Sequence, residues 1–506
     1  MFLSNLTKIY SCSGGRTAMR PPAERRNRVR LSARAFSDNM LKVYNTLTRR
    51  KEEFVPREKG HVYMYICGPT VYGLMHIGNA RTFMTFDIVY RYLKLKGFKV
   101  KYVQNVTDVG HLTDIGEDKI IKGAKERGMK VMDFVNLMTR NYFEDLKSLD
   151  ILKPDLTPRA SEHIQDMIDV IKKLIENGYA YESEGYVYFD ISKFKDYGKL
   201  SKQNPKYLEK QRKETHGRKR HEGDFVLWFP ASEDYPLKWN SPWGVGFPGW
   251  HIECSTMSSK YLGFPLDIHG GGKDLIFPHH EDEIAQAEGA TGKKFCNYWL
   301  HGEFILIKGE KMAKSLGNVI SARDAVKKYG KKAIRYFLMS SHYRTEINLT
   351  DESIKSAQNT VKKLIDFIDR IQEIDPKEKY NEELKKKIDE IKEKFEKSMD
   401  DDFNMPLALA AIFELVNETN KLIDGKKISK KNLNEVYDAM VDFDKVLDIL
   451  EHKKEKISKE IIDLIIKREG YRKRGDFETA DKIREELRKK GIIVEDSPEG
   501  PRWRKI

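Results

Sequence analysis

The hydrophobic pattern along this chain changes period several times, and each change marks an element. His61-Val-Tyr-Met-Tyr-Ile66 is a short apolar and aromatic run that predicts a buried strand. A glycine- and proline-bearing loop follows, Cys67-Gly68-Pro69-Thr70. Phe83, Phe86, Ile88, Val89, Tyr92 and Leu93 then supply the apolar faces of a helix predicted from about Asn79 to Lys96, with Gly97 as its stop. Val100 to Val106 predicts a second strand, ending at Asn105-Val106-Thr107-Asp108. Strand, helix, strand is the opening of a parallel, doubly wound sheet. Residues near 155–245 break this rhythm with a helix over 161–177, a β-rich stretch at Tyr186–Phe189 and a basic loop at 206–221, and they read as an insertion. The sheet resumes near Pro265-Leu-Asp-Ile-His269. Beyond about residue 350 the pattern is helical, in Lys/Glu-rich amphipathic runs to about 490, with no internal repeat.

Composition bounds the picture. A chain of 506 residues is too long for one core, so about three or more domains are expected. Six segments follow from the pattern: 1–39, 40–155, 156–245, 246–350, 351–450 and 451–506. No stretch approaches the ~20 apolar residues of a membrane span. The net charge of +14 points to a polyanionic partner such as nucleic acid, although a solvated lysine-rich surface gives the same balance. Four cysteines, Cys12, Cys67, Cys254 and Cys296, make no disulfide framework in a chain this long, and a reducing compartment is expected.

The first 39 residues differ from the rest. They carry one lysine and seven arginines against two acids, whereas the remainder prefers lysine. Such an acid-poor leader is similar to an organellar transit peptide. The alternative is that Met40 is the true start. The expected location is cytoplasmic, or an organelle if the leader is a transit peptide.

Three groups of residues carry chemistry. His76-Ile77-Gly78-Asn79 lies where a strand and loop lead into a helix, and a helix N-terminus attracts phosphate. There His76 can donate to a phosphate oxygen and Gly78 lets a nucleotide approach the backbone. Lys311-Met312-Ala313-Lys314-Ser315 sits between Gly309 and Gly317, and its two lysines can neutralise charge developing on phosphate. Cys67, Cys254, His279 and Glu283 have the donor types of a zinc site, with His279 and Glu283 spaced i, i+4 on a helix starting near Pro278. A closed four-ligand site would be structural, whereas one able to gain or exchange a ligand could bind a substrate thiol. An apolar pocket separates near-isosteres by only about 100-fold, while a metal exploits the softness and acidity of sulfur. Zinc beside an ATP site suggests an enzyme that activates a thiol substrate.

Six segments together resemble the class I cysteinyl-tRNA synthetases. They are Cys67-Gly-Pro-Thr-Val-Tyr72, His76–Asn79, Pro248-Gly-Trp-His-Ile-Glu-Cys254, Asp267-Ile-His-Gly-Gly-Gly-Lys-Asp274, Phe277-Pro-His-His-Glu-Asp-Glu283 and Lys311–Asn318. The resemblance covers about residues 40–506, and Ala480–Arg484, Gly491–Asp496 and Arg502-Trp503 are similar to the family's anticodon-recognition end. It implies an α/β fold: a Rossmann-like doubly wound catalytic domain with an inserted connective subdomain, then an all-α bundle and a small anticodon-binding domain. It implies one zinc per chain on Cys67, Cys254, His279 and Glu283. Catalytic roles would fall to His76, Asn79, Lys311 and Lys314. ATP would be bound by His76, Gly78, Asn79, His269, Asp274 and Lys314, with Mg2+. Cysteine would be bound by Gly68, Thr107, Trp250 and His269. The partners implied are tRNA-Cys, ATP and L-cysteine, no membrane, and a monomer or homodimer. Two departures stand out: Asn79 replaces the second histidine of the usual HIGH motif, and Ala313 replaces the serine of KMSKS. Asn79 can still donate at a helix start, so activity is expected to survive. Two other classes stay open. One is a ligase joining cysteine to an amino sugar, which would not need the helical tail. The other is a non-catalytic tRNA-binding paralogue, which the intact zinc set and both lysines oppose.

Overall fold

In the computed structural model the residues described are 40–110, 118–203, 219–312, 316–450, 458–497 and 500–505. A hairpin of β1 (Lys42–Asn45) and β2 (Arg50–Glu53) opens this part of the chain. The central sheet is fully parallel, built from β3 (His61–Ile66), β4 (Lys99–Gln104), β10 (Leu266–Gly272) and β11 (Cys296–Gly302) in the order β11-β10-β3-β4. Between β4 and β10 the chain builds a separate antiparallel sheet from β5 (Ala180–Ser183), β6 (Tyr186–Phe189), β7 (Phe225–Pro230), β8 (Trp239–Ser241) and β9 (Gly244–Pro248). This is the inserted part of the α/β fold, and the helix Ile164–Glu176 precedes it.

The parallel sheet is covered on both faces, as parallel sheets require. Val62, Met64 and Ile66 of β3 join one core with the helix Ile77–Leu95 and the helical region beyond residue 350. Tyr65 joins a second core with the insertion and the helices Trp250–Leu262 and Glu281–Thr291. The crossover from β3 runs to β4 on one side and that from β10 to β11 on the other. Open sheets bind ligands at the strand ends where the winding reverses in this way. Here that point is the end of β3 and β10.

A small sheet of β12 (Ile305–Ile307), β13 (Glu310–Lys311) and β14 (Ile347–Leu349) follows. Four helices then pack as a bundle: Asp351–Glu373, Glu382–Asp400, Met405–Asp424 and Lys430–Leu447. Ile354, Ala357, Val361, Leu364, Ile368 and Ile371 repeat at helical spacing on the buried face of the first, and a Thr350/Ser353 capping box starts it. Besides that shared apolar core, the joint with the sheet domain carries a buried ion pair. Arg335, fully buried, meets Asp87 at 2.6 Å and donates to the carbonyls of Leu447 and Leu149. The last described segment carries two helices, Lys459–Lys473 and Phe477–Lys489, and a hairpin of β15 (Ile492–Ser497) and β16 (Gly500–Lys505) over a small core of its own. No helix among the described residues is long and apolar enough to cross a membrane.

Candidate active site and metal centre

Cys67, Cys254, His279 and Glu283 converge from three separate parts of the chain. One donor atom from each lies within 4.8 Å of the others, and all four residues are buried. Cys67 leaves the end of β3, its N–H held by the carbonyl of Gly270 in β10 at 3.1 Å. Cys254 comes from the helix Trp250–Leu262, with its Sγ 3.8 Å from that of Cys67. His279 lies in an irregular turn, Ile276–His280, and Glu283 in the helix after it, yet His279 Nε2 reaches Glu283 Oε1 at 3.0 Å. A second, overlapping cluster shares Cys67 and Glu283 and adds His269 and His280.

The charges inside this cluster are set by its neighbours. Burial disfavours the Glu283 carboxylate, but His269 and His279 hold its pKa down at about 2. Burial also disfavours charge on His279, yet Glu283 and Cys254 raise it to about 10. For Cys254, burial is outweighed by the contacts with Cys67 and His279, and the thiol falls to about 6. Cys67 is pushed well up, by burial and then by Cys254. The metal-free cluster therefore holds one thiol, one thiolate, one imidazolium and one carboxylate.

Further histidines surround these four. His280 Nε2 is 3.2 Å from Cys67 Sγ, and its Nδ1 is 2.7 Å from His301 Nε2. His301 Nδ1 is 2.8 Å from Thr46 Oγ1. Burial and neighbouring histidines keep both rings neutral, His301 at about 3. Neutral rings in this series each donate from one nitrogen and accept at the other, so the order fixes their orientation. His251 Nδ1 is 2.8 Å from His279 Nδ1. His269 is fully buried, with Nε2 2.8 Å from Glu283 Oε2 and Nδ1 3.0 Å from the Tyr65 carbonyl.

Beside the cluster lies a polar shelf. The Gly68 N–H donates to Asn105 Oδ1 at 2.8 Å, Asn105 Nδ2 donates to Thr107 Oγ1, and Thr107 donates to Glu253 Oε2 at 2.6 Å. Glu253 is fully buried, and its other oxygen has no hydrogen-bond partner among the described residues. Burial, then the neighbouring Cys254, raises its carboxyl well above the ordinary range. Trp250 is half-buried and stacks on His279 with ring centres 4.2 Å apart. Asp274 is exposed just past β10.

The two phosphate motifs meet. His76 is the N-cap of Ile77–Leu95, and its Nδ1 accepts the Asn79 N–H at 3.1 Å. That contact leaves the ring proton on Nε2, which is then a donor. Gly78 and Asn79 are half-buried in the first turn. A Cβ on Gly78 would lie 2.9 Å from Met312 Cε and 3.1 Å from His76 Nδ1, so the helix start and the second motif lie in close contact here. Lys311 is exposed in β13, with Nζ 4.2 Å from the Phe304 ring centre. Lys314 lies outside the described residues, as do Lys206, Lys210, Arg212, Lys213 and Arg218 of the basic loop. Arg220 packs its guanidinium 4.0 Å over the Tyr181 ring. Trp503 in β16 is 37% exposed, and its backbone is paired with Val494.

The sequence reading missed His251, His280, His301, Thr46 and Glu253. Five of the chain's 13 histidines fall between positions 251 and 301, a density that could have flagged most of them.

Comparison with known proteins agrees along the whole described chain. Residues 53–359 match the class I (C) tRNA synthetase catalytic domain, 394–451 a DALR domain, and 455–504 the cysteinyl-tRNA ligase anticodon-binding domain. The cysteine–tRNA ligase of Thermococcus gammatolerans is 45% identical over 480 residues, covering 92% of this chain and 99% of the relative. That of Thermococcus onnurineus is 44% identical with the same coverage. Among solved structures, Mycobacterium tuberculosis methionyl-tRNA synthetase in complex with methionyl-adenylate shares the fold, with a TM-score of 0.58 at 17% identity, covering 77% of this chain and 90% of that one. A Campylobacter jejuni chain described as an arginyl synthetase gives a TM-score of 0.51 at 14% identity, covering 78% and 93%.

Proposed function

The chain belongs to the class I cysteine–tRNA ligases, and from that premise we propose how its own residues select and activate cysteine. The enzyme uses ATP to join cysteine to tRNA. We propose that Cys67, Cys254, His279 and Glu283 hold one zinc ion. Their donor chemistry fits, because this set takes both thiols, whereas the overlapping set with His269 and His280 takes only one. Zinc bound there would supply affinity for a substrate thiolate that a serine hydroxyl lacks.

The remaining assignments concern the chain itself. Trp250, stacked on His279, offers a wall for the short substrate side chain. Gly68, Thr107 and His269 complete the amino-acid site. The phosphates of ATP, with Mg2+, lie against His76 Nε2–H and the helix start at Gly78-Asn79, with Asp274 on the nucleotide side. A cysteine carboxylate oxygen attacks the α-phosphorus. The bond to the β-phosphate bridging oxygen breaks, pyrophosphate leaves, and cysteinyl-adenylate remains. No protein nucleophile is needed: positioning and the charges of Lys311 and Lys314 carry this step. A ribose hydroxyl of the terminal tRNA adenosine then attacks the activated carbonyl and displaces AMP. Residues from about 451 read the anticodon, with Trp503 as a stacking surface. The three free thiols among the described residues suit a reducing compartment such as the cytoplasm.

The observation that carries this reading is the buried two-thiol cluster at the sheet's switch point. The test is ATP–pyrophosphate exchange on zinc-loaded protein with cysteine and with serine. Exchange with cysteine alone is expected. Equal exchange with serine would remove the selective role given to the metal, and no exchange with either would sink the activation step.

A further inference from the structure

The two phosphate-handling motifs begin 235 positions apart, at His76 and at Lys311. Two backbone hydrogen bonds nevertheless tie the chain just after the second motif to the residues that open the first. The Ile77 N–H donates to the Ile320 carbonyl at 2.9 Å, and the Ala322 N–H donates to the Met75 carbonyl at 2.8 Å. These two bonds bracket an antiparallel bridge between His76 and Ser321. A third element, the helix Val131–Ser148, supplies Asp145. Its carboxylate is 1% exposed. Asp145 Oδ2 accepts the Met75 N–H at 3.3 Å, and Oδ1 accepts from Arg323 Nε at 2.7 Å. Arg323 is held in turn by the carbonyl and side-chain oxygens of Asn141 at 3.3 Å.

We propose that Asp145 and Arg323 form a clamp that fixes the His76 turn against Ile320–Ala322, the stretch that follows the second motif, and so act as positioning residues for ATP. Neither belongs to the motifs, and neither is placed to touch the cysteine cluster. A backbone bridge alone could hinge about its two hydrogen bonds. The carboxylate engages one strand of that bridge through Met75 and the other through Arg323, so it resists the hinge. Electrostatic stabilisation of a phosphoryl-type transition state needs the donors of both motifs at fixed separation, and a displacement of about 1 Å far from the chemistry can cost about 100-fold in rate. This inference rests on the activation reading above and names residues which that reading did not use.

The experiment measures ATP–pyrophosphate exchange with cysteine as a function of ATP for wild type, Asp145→Asn, Arg323→Gln and the double variant. Equilibrium dialysis with labelled cysteine runs in parallel on the same zinc-loaded proteins. Asn keeps an oxygen for Met75, so the substitution removes the charge with little change of shape. Each single variant is expected to lose about 10- to 100-fold in kcat/KM for ATP, with cysteine affinity within about twofold of wild type. The double variant should be no worse than the poorer single, because the pair acts as one unit. Wild-type kinetics for Asp145→Asn would overturn the clamp, as would a parallel loss of cysteine affinity or multiplicative losses in the double variant. A wild type that exchanges with no amino acid would overturn the activation reading instead, and the clamp with it.

Discussion

Loading the Cys67, Cys254, His279 and Glu283 cluster with zinc should release two protons per chain at neutral pH. Zinc binds thiolate, neutral imidazole and carboxylate, so any proton on these donors must leave. Glu283, at about 2, is already a carboxylate, and Cys254, at about 6, is already mostly thiolate. Cys67 keeps its proton because burial and Cys254 raise it, and His279, at about 10, is an imidazolium. One proton from each makes two. The metal-free state therefore binds more protons than the loaded one, and affinity must rise with pH. Each released proton contributes about tenfold per pH unit, so two give about 100-fold per unit between roughly pH 6 and 10. Below pH 6 Cys254 adds a third proton and the dependence steepens. Above 10 His279 has lost its proton and the dependence relaxes. Calorimetric titration of apo-protein with zinc, against a chelator and in buffers of different ionisation enthalpy, reads the proton count directly. A count near zero would refute the protonation pattern, and an affinity that falls with pH would refute the ligand set.

Three further outcomes are expected. Cys254→Ser should lower bound zinc below one per chain and abolish cysteine-dependent exchange while tRNA retention on filters persists; full zinc content would remove Cys254 from the ligands. Gly68→Ala should cost on the order of 100-fold in exchange, because its Cβ would fall 1.6 Å from the Asn105 carbonyl oxygen, whereas Gly73→Ala, with nothing within 4 Å, should be neutral in the same assay. Arg335→Met should destabilise the fold by about 1–3 kcal/mol, since it leaves the Leu447 and Leu149 carbonyls short of a donor while Asp87 keeps Arg91 at 2.8 Å; an unshifted thermal transition would show that the joint between sheet and bundle does not depend on it.

Much of the sheet domain was legible because its signals are local. The run His61–Ile66 is β3 to the residue, since both of its faces are buried and its apolar content is continuous. The following helix begins at Ile77 and not Asn79, because a histidine side chain caps it where Ser, Thr, Asp or Asn would be the expected signal. The next strand ends at Gln104 and not Val106. Val106 and Thr107 leave the sheet to make single bridges with Arg159 and Thr70, long-range partners that no window of sequence contains. The i, i+4 reading of His279 and Glu283 holds in distance although the regular helix starts at Glu281. Phe277 adopts extended backbone angles, and an irregular turn delivers His279 to the same face. The clamp was invisible for a different reason. Asp145 sits on a helix whose local pattern says only that one face is buried, and its two partners are distant in sequence.

The wide separation of the metal donors has a consequence for how the enzyme is made. Cys67 and Cys254 are 187 positions apart, with the whole antiparallel insertion between them. In a small zinc-dependent domain the ligands are close in the chain, and the ion can organise the polypeptide around itself. Here the loop to be closed is long, and its entropy is offset by the packing of the parallel sheet and the helix Trp250–Leu262 that carry the two sulfurs. On the proposed ligand set, metal acquisition would be a maturation step performed on a folded protein, and zinc-free chains are expected to give a cooperative thermal transition. In a cell short of zinc, newly made chains would accumulate as folded, inactive apo-enzyme ready for later loading, with no burden of unfolded chains for the quality-control machinery.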